Sequence, residues 1–302
     1  MQPIILHHYD LSPFSEKVRR VLAYKDLPWR AVEQPLMAPK PELTPLTGGY
    51  RRIPVMQIGA DVYCDTALIV RRLEALAPNP PVLPAALAGT IGLIEDWADH
   101  RLFMQVVPPI IVDLLAVLPL EFLSDRAAMS PGFTEASLRA AAPHALEQTC
   151  HSLDHLAQAL AGRPYLLGDA FTVADAACFH CVWFLRNSAR VYPQVERRPA
   201  LAAWVERIAA FGPGKVTPMT AGQALELARA AAPADVDGPS VTDAGYGPGN
   251  TVTIVADDYG RETTTGTVGR VRADEVVVLR EDGAVGSIAV HYPRAGYRVA
   301  KV

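Results

Sequence analysis

A short apolar strand that runs directly into a serine-proline helix start constrains this chain more than any other feature. The strand covers residues 4–8, and Ser12-Pro13-Phe14-Ser15 follows it. Proline is favoured at the first helical position because its missing N–H would be unpaired there, and the preceding serine caps the helix. The positive end of the helix dipole then stabilises an anion such as a thiolate. Since this loop contains no cysteine, we expect any thiol to arrive with a ligand.

Length, charge and cysteine usage exclude several classes of protein. At 302 residues the chain is longer than most single cores support, which predicts two or three domains. Its net charge of −4 does not favour nucleic-acid binding. No apolar run has the length of a membrane span, and the N-terminus does not resemble a signal peptide. The four cysteines do not indicate a disulfide framework, so we expect a cytoplasmic protein.

The first region, residues 1–84, alternates strand and helix patterns. Residues 53–58 and 62–64 predict a β-hairpin. Asp65-Thr66 then caps a predicted helix that ends before a proline cluster. The order strand, helix, strand, loop, two strands and helix is that of an α/β thioredoxin-like domain.

The second region, residues 85–232, is rich in alanine and leucine at helical spacing and predicts an all-α domain. Thr172 and Asp175 have the spacing of a capping box, with aspartate in place of the usual glutamate. We assign this motif to folding and not to chemistry. The predicted helices cover residues 89–107, 113–118, 134–160, 173–185, 199–210 and 220–231.

The third region follows a linker at residues 233–248 and covers residues 249–302. Short β-branched segments separated by turns predict a small all-β domain, either a barrel of the SH3-like kind or a sandwich. The predicted strands cover residues 251–256, 263–271, 275–280, 286–290 and 297–300.

Three motifs in roughly the first 230 residues point to one family. The first is the strand followed by Ser12-Pro13-Phe14-Ser15. The second is Arg52-Ile53-Pro54-Val55 at the start of a predicted strand, and the third is Asp65-Thr66 at a helix start. In this order and spacing, they resemble a glutathione S-transferase of the serine type, similar to bacterial members. The second motif matches the strand that begins with a cis-proline in this family, and the third matches the acidic residue and serine that hold the γ-glutamyl end of glutathione.

The resemblance implies that glutathione is the co-substrate and that no metal takes part. The backbone of Ile53, beside Pro54, would pair with the extended peptide of glutathione. Thr66 would offer donors to one carboxylate, and Asp65 would hold the ammonium group. Arg52 would neutralise the glycyl carboxylate. Thr66 is also an ordinary helix cap, and Pro54 is also compatible with the end of an edge strand.

The resemblance also assigns the residue that activates the thiol. Ser12 would donate a hydrogen bond to the glutathione sulfur and favour the nucleophilic thiolate. Ser15 is either a second donor or a hydroxyl on the helix surface, and Tyr9 ranks well below Ser12. Without the other two motifs, a helix cap alone would be the better interpretation of Ser12.

The second substrate would be a small hydrophobic electrophile. In the family, the first long helix of the second domain borders its pocket, which makes Trp97 and Arg101 candidate contacts. Packing between helices is the better explanation for Trp97. The reaction would be a conjugation, or a glutathione-dependent isomerisation or dehalogenation, and a homodimer is expected from the resemblance alone.

Two histidine clusters offer a metal-binding alternative that we consider weaker. His151, Asp154 and His155 share one helix face, but no fourth ligand is evident. His180 lies between Cys178 and Cys181 in a strongly apolar run, where core packing is the better interpretation.

Two other functions remain open. The fold is also compatible with a non-catalytic binding or scaffold protein whose C-terminal β module recruits a partner. Covering the pocket, stabilising a dimer and a passive stabilising role are equally open for that module. A thiol-disulfide oxidoreductase would need Cys64 to be exposed and acidic. The position of Cys64 at the end of a predicted inner strand instead predicts burial.

Overall fold

A ten-stranded β-sheet organises the first of two units into which the chain folds. This unit contains the chain up to Ser15, Pro28–Arg72 and Lys215–Val302, and the second contains Glu16–Leu27 and Leu73–Gly214. The structure is a computed structural model and describes residues 2–234, 236, 238–241 and 245–302. The predicted linker at 233–248 therefore includes positions 235, 237 and 242–244, which lie outside the described residues.

The strands of the sheet follow the order β10-β6-β7-β8-β9-β4-β3-β1-β2-β5. Within it, β1 is parallel to β2 and antiparallel to β3, and β3 is antiparallel to β4. This arrangement confirms the thioredoxin-like prediction. The short β5, which pairs with β2, was not predicted. The strands are β1 (Ile4–His8), β2 (Trp29–Glu33), β3 (Val55–Ile58), β4 (Asp61–Cys64), β5 (Val216–Pro218), β6 (Thr251–Ala256), β7 (Thr264–Val271), β8 (Glu275–Asp282), β9 (Gly286–Pro293) and β10 (Tyr297–Lys301).

The last five strands form the predicted C-terminal β module. The first four of them, β6 to β9, are antiparallel neighbours in chain order, and β10 returns to pair with β6. Each begins within one residue of its predicted start, because alternating β-branched residues and glycine turns are local signals. The module also continues the N-terminal sheet, since β9 pairs in parallel with β4, with Tyr63 opposite His291.

One hydrophobic core serves both the N-terminal strands and the β module. Leu46 and Val62 belong to the same buried cluster as Val252, Val278 and Val290. The two parts of the first unit therefore share a sheet and a core, and their apolar surfaces bury each other.

A buried histidine joins the module to β4 by polar contacts. His291 Nε2 lies 3.1 Å from Asp61 Oδ1, and Nδ1 lies 2.7 Å from Glu275 Oε1. The imidazole is stacked on Tyr63, with ring centroids 4.3 Å apart. Burial alone would lower the pKa of His291, but its hydrogen bonds to the two carboxylates raise it. The seam between β4 and β9 thus favours an imidazolium.

Helices of the second unit confirm the predicted all-α region. A π-helical turn at Trp97–Leu102 connects α4 to α5. The described part of the chain contains no apolar helix of membrane-spanning length. The helices of the chain are α1 (Pro13–Tyr24), α2 (Thr44–Thr47), α3 (Thr66–Leu76), α4 (Ala88–Asp96), α5 (Phe103–Leu114), α6 (Phe122–Met129), α7 (Glu135–Ala159), α8 (Val173–Phe184), α9 (Pro193–Glu196), α10 (Pro199–Ala209) and α11 (Ala221–Arg229).

The prediction that a helix ends at residue 107 and another covers 113–118 was wrong. Helix α5 continues through Pro108 and Pro109 to Leu114. A proline in a helix leaves the carbonyl four residues earlier without its N–H partner. For Pro109 that carbonyl belongs to Gln105, and it accepts a hydrogen bond from Thr149 Oγ1 at 3.1 Å. A side chain of α7 thus compensates for the proline.

The capping box at the start of α8 is confirmed. Asp175 Oδ2 accepts the backbone N–H of Thr172 at 3.0 Å. Asp175 Oδ1 accepts the Leu166 N–H at 2.8 Å and Trp204 Nε1–H at 2.9 Å. The motif therefore links three segments of the helical unit.

Candidate functional site

The topology of the first unit brings the predicted glutathione-binding residues to one end of the sheet. Strand β1 leads to Ser12, β3 begins just after Ile53, and β4 ends just before Asp65. Because β3 is antiparallel to both β1 and β4, the end of β1, the start of β3 and the end of β4 lie at the same edge. The three motifs that are separate in sequence therefore meet at one place.

Ser12 caps helix α1. It is 2% exposed, and its Oγ accepts the Ser15 N–H at 3.1 Å. Among the described residues, the Ser12 hydroxyl hydrogen has no acceptor. The Ser15 hydroxyl is buried and, within the described part of the chain, has no hydrogen-bond partner. The alternative that Ser15 is a surface hydroxyl was therefore wrong, because its side chain turns into the interior.

The Ile53–Pro54 peptide bond is cis, as the resemblance implied. Ile53 precedes β3 and is half-buried. Its backbone N–H and C=O make no hydrogen bond with any other described residue. This short edge is therefore able to accept an extended peptide as an additional strand.

Asp65 and Thr66 form the junction between β4 and α3. Asp65 has a left-handed φ of 76°, and its Oδ1 accepts the Ala67 N–H at 2.9 Å. Its Oδ2 accepts a hydrogen bond from the Tyr297 hydroxyl at 3.1 Å. Burial raises the pKa of Tyr297, which keeps this donor neutral. Thr66 is buried at the first position of α3.

Arg52 is held by the C-terminal module. Both terminal nitrogens of its guanidinium bond the carboxylate of Asp258, and its Cζ lies 4.0 Å from the centre of the Tyr259 ring. Next to it, Arg51 forms an ion pair with Glu262 at 3.5 Å. Sequence reasoning missed these partners. The signal that could have found them is the acidic loop between β6 and β7, which complements the two adjacent arginines.

The remaining candidates lie in different surroundings. Tyr9 is half-buried, and its ring centre lies 5.7 Å from the Lys40 Nζ. Trp97 is half-buried and Arg101 is exposed, both on the π-helical turn of the helical unit. Cys64 is fully buried, as predicted, and burial raises its thiol pKa. A buried, protonated thiol does not suit disulfide exchange.

The two predicted histidine clusters have other partners. Asp154 Oδ1 accepts a hydrogen bond from Arg198 Nε at 2.7 Å. Cys178, His180 and Cys181 are all buried in α8, which agrees with core packing. A different set has ligand atoms within 4.8 Å of one another, namely His8, Asp10 and Glu33 at the ends of β1 and β2.

A buried charge cluster in the helical unit was also missed. Lys17 of α1 is fully buried, and its Nζ lies 2.9 Å from Glu95 Oε1 and 2.5 Å from Asp99 Oδ2. Asp99 Oδ1 in turn lies 3.0 Å from His180 Nε2. The sequence contains one signal for the burial of Lys17. This residue lies four positions before the buried Val21 and therefore on the same face of α1. Such a paired charge is satisfied where it stands and needs no ligand.

Comparison with known proteins follows the same division of the chain. Residues 6–81 match the glutathione S-transferase N-terminal domain, and residues 131–207 match the corresponding C-terminal domain. Among curated proteins, no match was found.

Solved structures extend the comparison. A GST-like protein from Pseudomonas syringae is 33% identical, with 100% of each chain covered and a TM-score of 0.79. Its match therefore includes the β module. A glutathione S-transferase III is 24% identical over 70% of this chain and 94% of its own, with a TM-score of 0.53. A glutathione S-transferase from Rhodospirillum rubrum is 21% identical over 70% and 89%, with a TM-score of 0.55. The similarity to these last two structures concerns the fold alone. Together with the two domain matches, the full-length likeness establishes that this chain belongs to the glutathione S-transferase family.

Proposed function

We propose that this protein is an enzyme that binds glutathione at the edge described above and activates its thiol for attack on a hydrophobic electrophile. The observation that carries this proposal is the pairing of two available groups at one end of the sheet. These are the Ser12 hydroxyl hydrogen, which has no acceptor among the described residues, and the Ile53 backbone, which has no hydrogen bond there.

Each group of the tripeptide has a candidate partner in this arrangement. The Ile53 backbone pairs with the cysteinyl residue, and Thr66 at the start of α3 binds the γ-glutamyl carboxylate. Asp65 binds the ammonium group, and Arg52 is the candidate partner of the glycyl carboxylate.

Ser12 donates its hydrogen to the sulfur, and the N-terminus of α1 adds a favourable potential for the thiolate. The thiol proton leaves to solvent, and the thiolate then attacks. In a conjugation the sulfur forms a bond to carbon while the leaving group departs with its electron pair; isomerisation and dehalogenation begin from the same thiolate. Trp97 and Arg101 are the proposed contacts of the electrophile. We also propose a homodimer in a reducing cytoplasm, in keeping with the four unpaired cysteines.

Calorimetry with glutathione and turnover of a chlorodinitrobenzene electrophile test this proposal. In Ser12→Ala we expect turnover to fall at least about tenfold, because a charge-assisted hydrogen bond is lost. Thr220→Ala is the control, since Thr220 caps α11 in the same way at a different place. Undiminished turnover in Ser12→Ala would remove Ser12 from the mechanism.

A non-catalytic scaffold is the second candidate, and one observation favours it. The β module contacts both Arg52 and Asp65, the two residues proposed to bind charged ends of glutathione. Calorimetry separates the candidates, because a scaffold of this kind shows no heat of binding at millimolar glutathione.

A further inference from the structure

The loop between β6 and β7 (residues 257–263) covers the segment that precedes the cis-proline. It supplies Asp258 and Tyr259 to Arg52, and Glu262 to Arg51. All of these residues belong to the first unit. The loop therefore lies on the guanidinium that the proposed function assigns to the glycyl carboxylate.

The contact of Asp258 with Arg52 has the form of a bound ligand. A guanidinium binds a carboxylate through two parallel N–H donors, and this two-point geometry is what an incoming carboxylate would need. Asp258 already uses both terminal nitrogens of Arg52. Tyr259 covers one face of the same group. A ligand carboxylate can take this position only after Asp258 has left it.

Asp258 is also placed where it can leave. Its side chain is 33% exposed, whereas that of Arg52 is 14% exposed. Ion pairs with a solvent-exposed partner contribute little to stability. The pair is therefore an exchangeable contact at the rim of the site and not a fixed part of the core.

We infer that Asp258 is a built-in occupant of the carboxylate subsite and is a determinant of ligand specificity. This inference rests on the proposed function and refines it. Because Arg52 is already neutralised, the protein gains little from the glycyl carboxylate of a thiol peptide. It therefore accepts peptides with a blocked carboxyl terminus about as well as glutathione itself.

Calorimetry on the full chain tests the inference with two probes, glutathione and its glycyl ethyl ester, whose carboxylate is neutralised. In the wild type we expect the two dissociation constants to agree within about twofold. In Asp258→Asn, glutathione should bind about fivefold more tightly, while the ester should not. Asp257→Asn is the matched control, since the neighbouring exposed carboxylate has the same charge and no contact with Arg52. A thermal melt verifies that each variant is folded.

A double variant supplies a second line of evidence. Adding Arg52→Met to Asp258→Asn should abolish the tighter binding of glutathione. If Asp258→Asn binds glutathione like the wild type, and the ester is weaker in both, the inference is overturned while the proposed function stands. If neither the wild type nor any variant binds either probe, both the inference and the proposed function fail.

Discussion

At the scale of single residues, the Ser12 hydroxyl is suited to two tasks at once. Its oxygen accepts the Ser15 N–H through a lone pair, and the hydrogen remains for another acceptor. A hydroxyl carries one donor and two acceptor positions, so capping α1 does not compete with donation to a sulfur. The cap fixes the position of the oxygen and leaves the chemistry to the hydrogen.

The capping task predicts a measurable loss of stability. We expect Ser12→Ala to lower the free energy of unfolding by about 1 kcal/mol, because one amide of the first turn loses its acceptor. Urea denaturation followed by circular dichroism measures this change. An unchanged midpoint would show that the cap contributes nothing.

Ser15 predicts the opposite outcome on the same helix. Its hydroxyl is buried without a partner among the described residues, and such burial costs about 1–3 kcal/mol. We therefore expect Ser15→Ala to leave the free energy of unfolding unchanged or to raise it. The same denaturation experiment decides, and a loss as large as that of Ser12→Ala would contradict the assigned environment.

At the scale of elements, α5 shows how a helix tolerates two consecutive prolines. The Gln105 carbonyl that Pro109 leaves without a partner accepts the Thr149 hydroxyl of α7. The single hydroxyl hydrogen of Thr149 is shared with the Ala145 carbonyl of its own helix, which lies 2.9 Å from Oγ1. The Thr149 side chain of α7 thus contacts α5 at the carbonyl that Pro109 leaves without an N–H donor.

A double-mutant cycle measures this compensation. Thr149→Val keeps the shape but removes the hydroxyl, and we expect a loss of about 1–3 kcal/mol in the free energy of unfolding. In a Pro109→Ala background the restored N–H satisfies Gln105, so the loss from Thr149→Val should shrink. Additive losses would mean that the two groups act independently.

Local signals explain which elements the sequence could predict. The strands of the β module and the capping box of Thr172 and Asp175 depend on neighbouring residues, so their positions were predicted closely. The continuation of α5 depends on Thr149, which lies on another helix, and no local pattern announces it. The contact between Arg52 and Asp258 joins residues 206 positions apart. Charge complementarity suggests such a contact only once the strand order is known.

At the scale of the whole molecule, the seam between β4 and β9 has a pH dependence with a definite sign. The pKa of His291 is raised above 6.5 by Asp61 and Glu275 against the effect of burial. Its contribution to stability is therefore complete below pH 6.5 and is lost as the pH rises through the folded pKa. Burial would raise the pKa of Glu275, but His291 lowers it below 4.5. The contribution of Glu275 to stability is therefore present above pH 4.5 and is lost in acid.

Between pH 4.5 and pH 6.5 we expect the free energy of unfolding of the wild type to exceed that of His291→Gln by the largest amount. Above pH 6.5 this difference should shrink. Denaturation at about pH 5.5, 7.0 and 8.5 measures the difference between the two proteins. His7, whose pKa burial lowers to about 4, titrates in both and cancels. A difference that is constant with pH would mean that His291 is neutral in the seam.

The shared core predicts that the β module stabilises the first unit. Removing the chain after residue 232 would expose β4 and open the cluster that contains Val62 and Val278. We expect the shortened protein to lose its cooperative thermal transition, followed by circular dichroism. A native-like melt of the shortened chain would show that the module adds little to the stability of the first unit.

The order of the strands also determines which two strands lie at the edges of the sheet. With β9 covering β4, the outermost strands are β5 and β10. Strand β5 has three residues and ends in Pro218, and β10 carries Arg298 and Lys301. Short length, proline and positive charge all discourage a foreign strand from docking edge to edge. The attachment of the module therefore protects the sheet from fibrous self-association, because it covers the edge of β4 and leaves these two blocked strands at the margins.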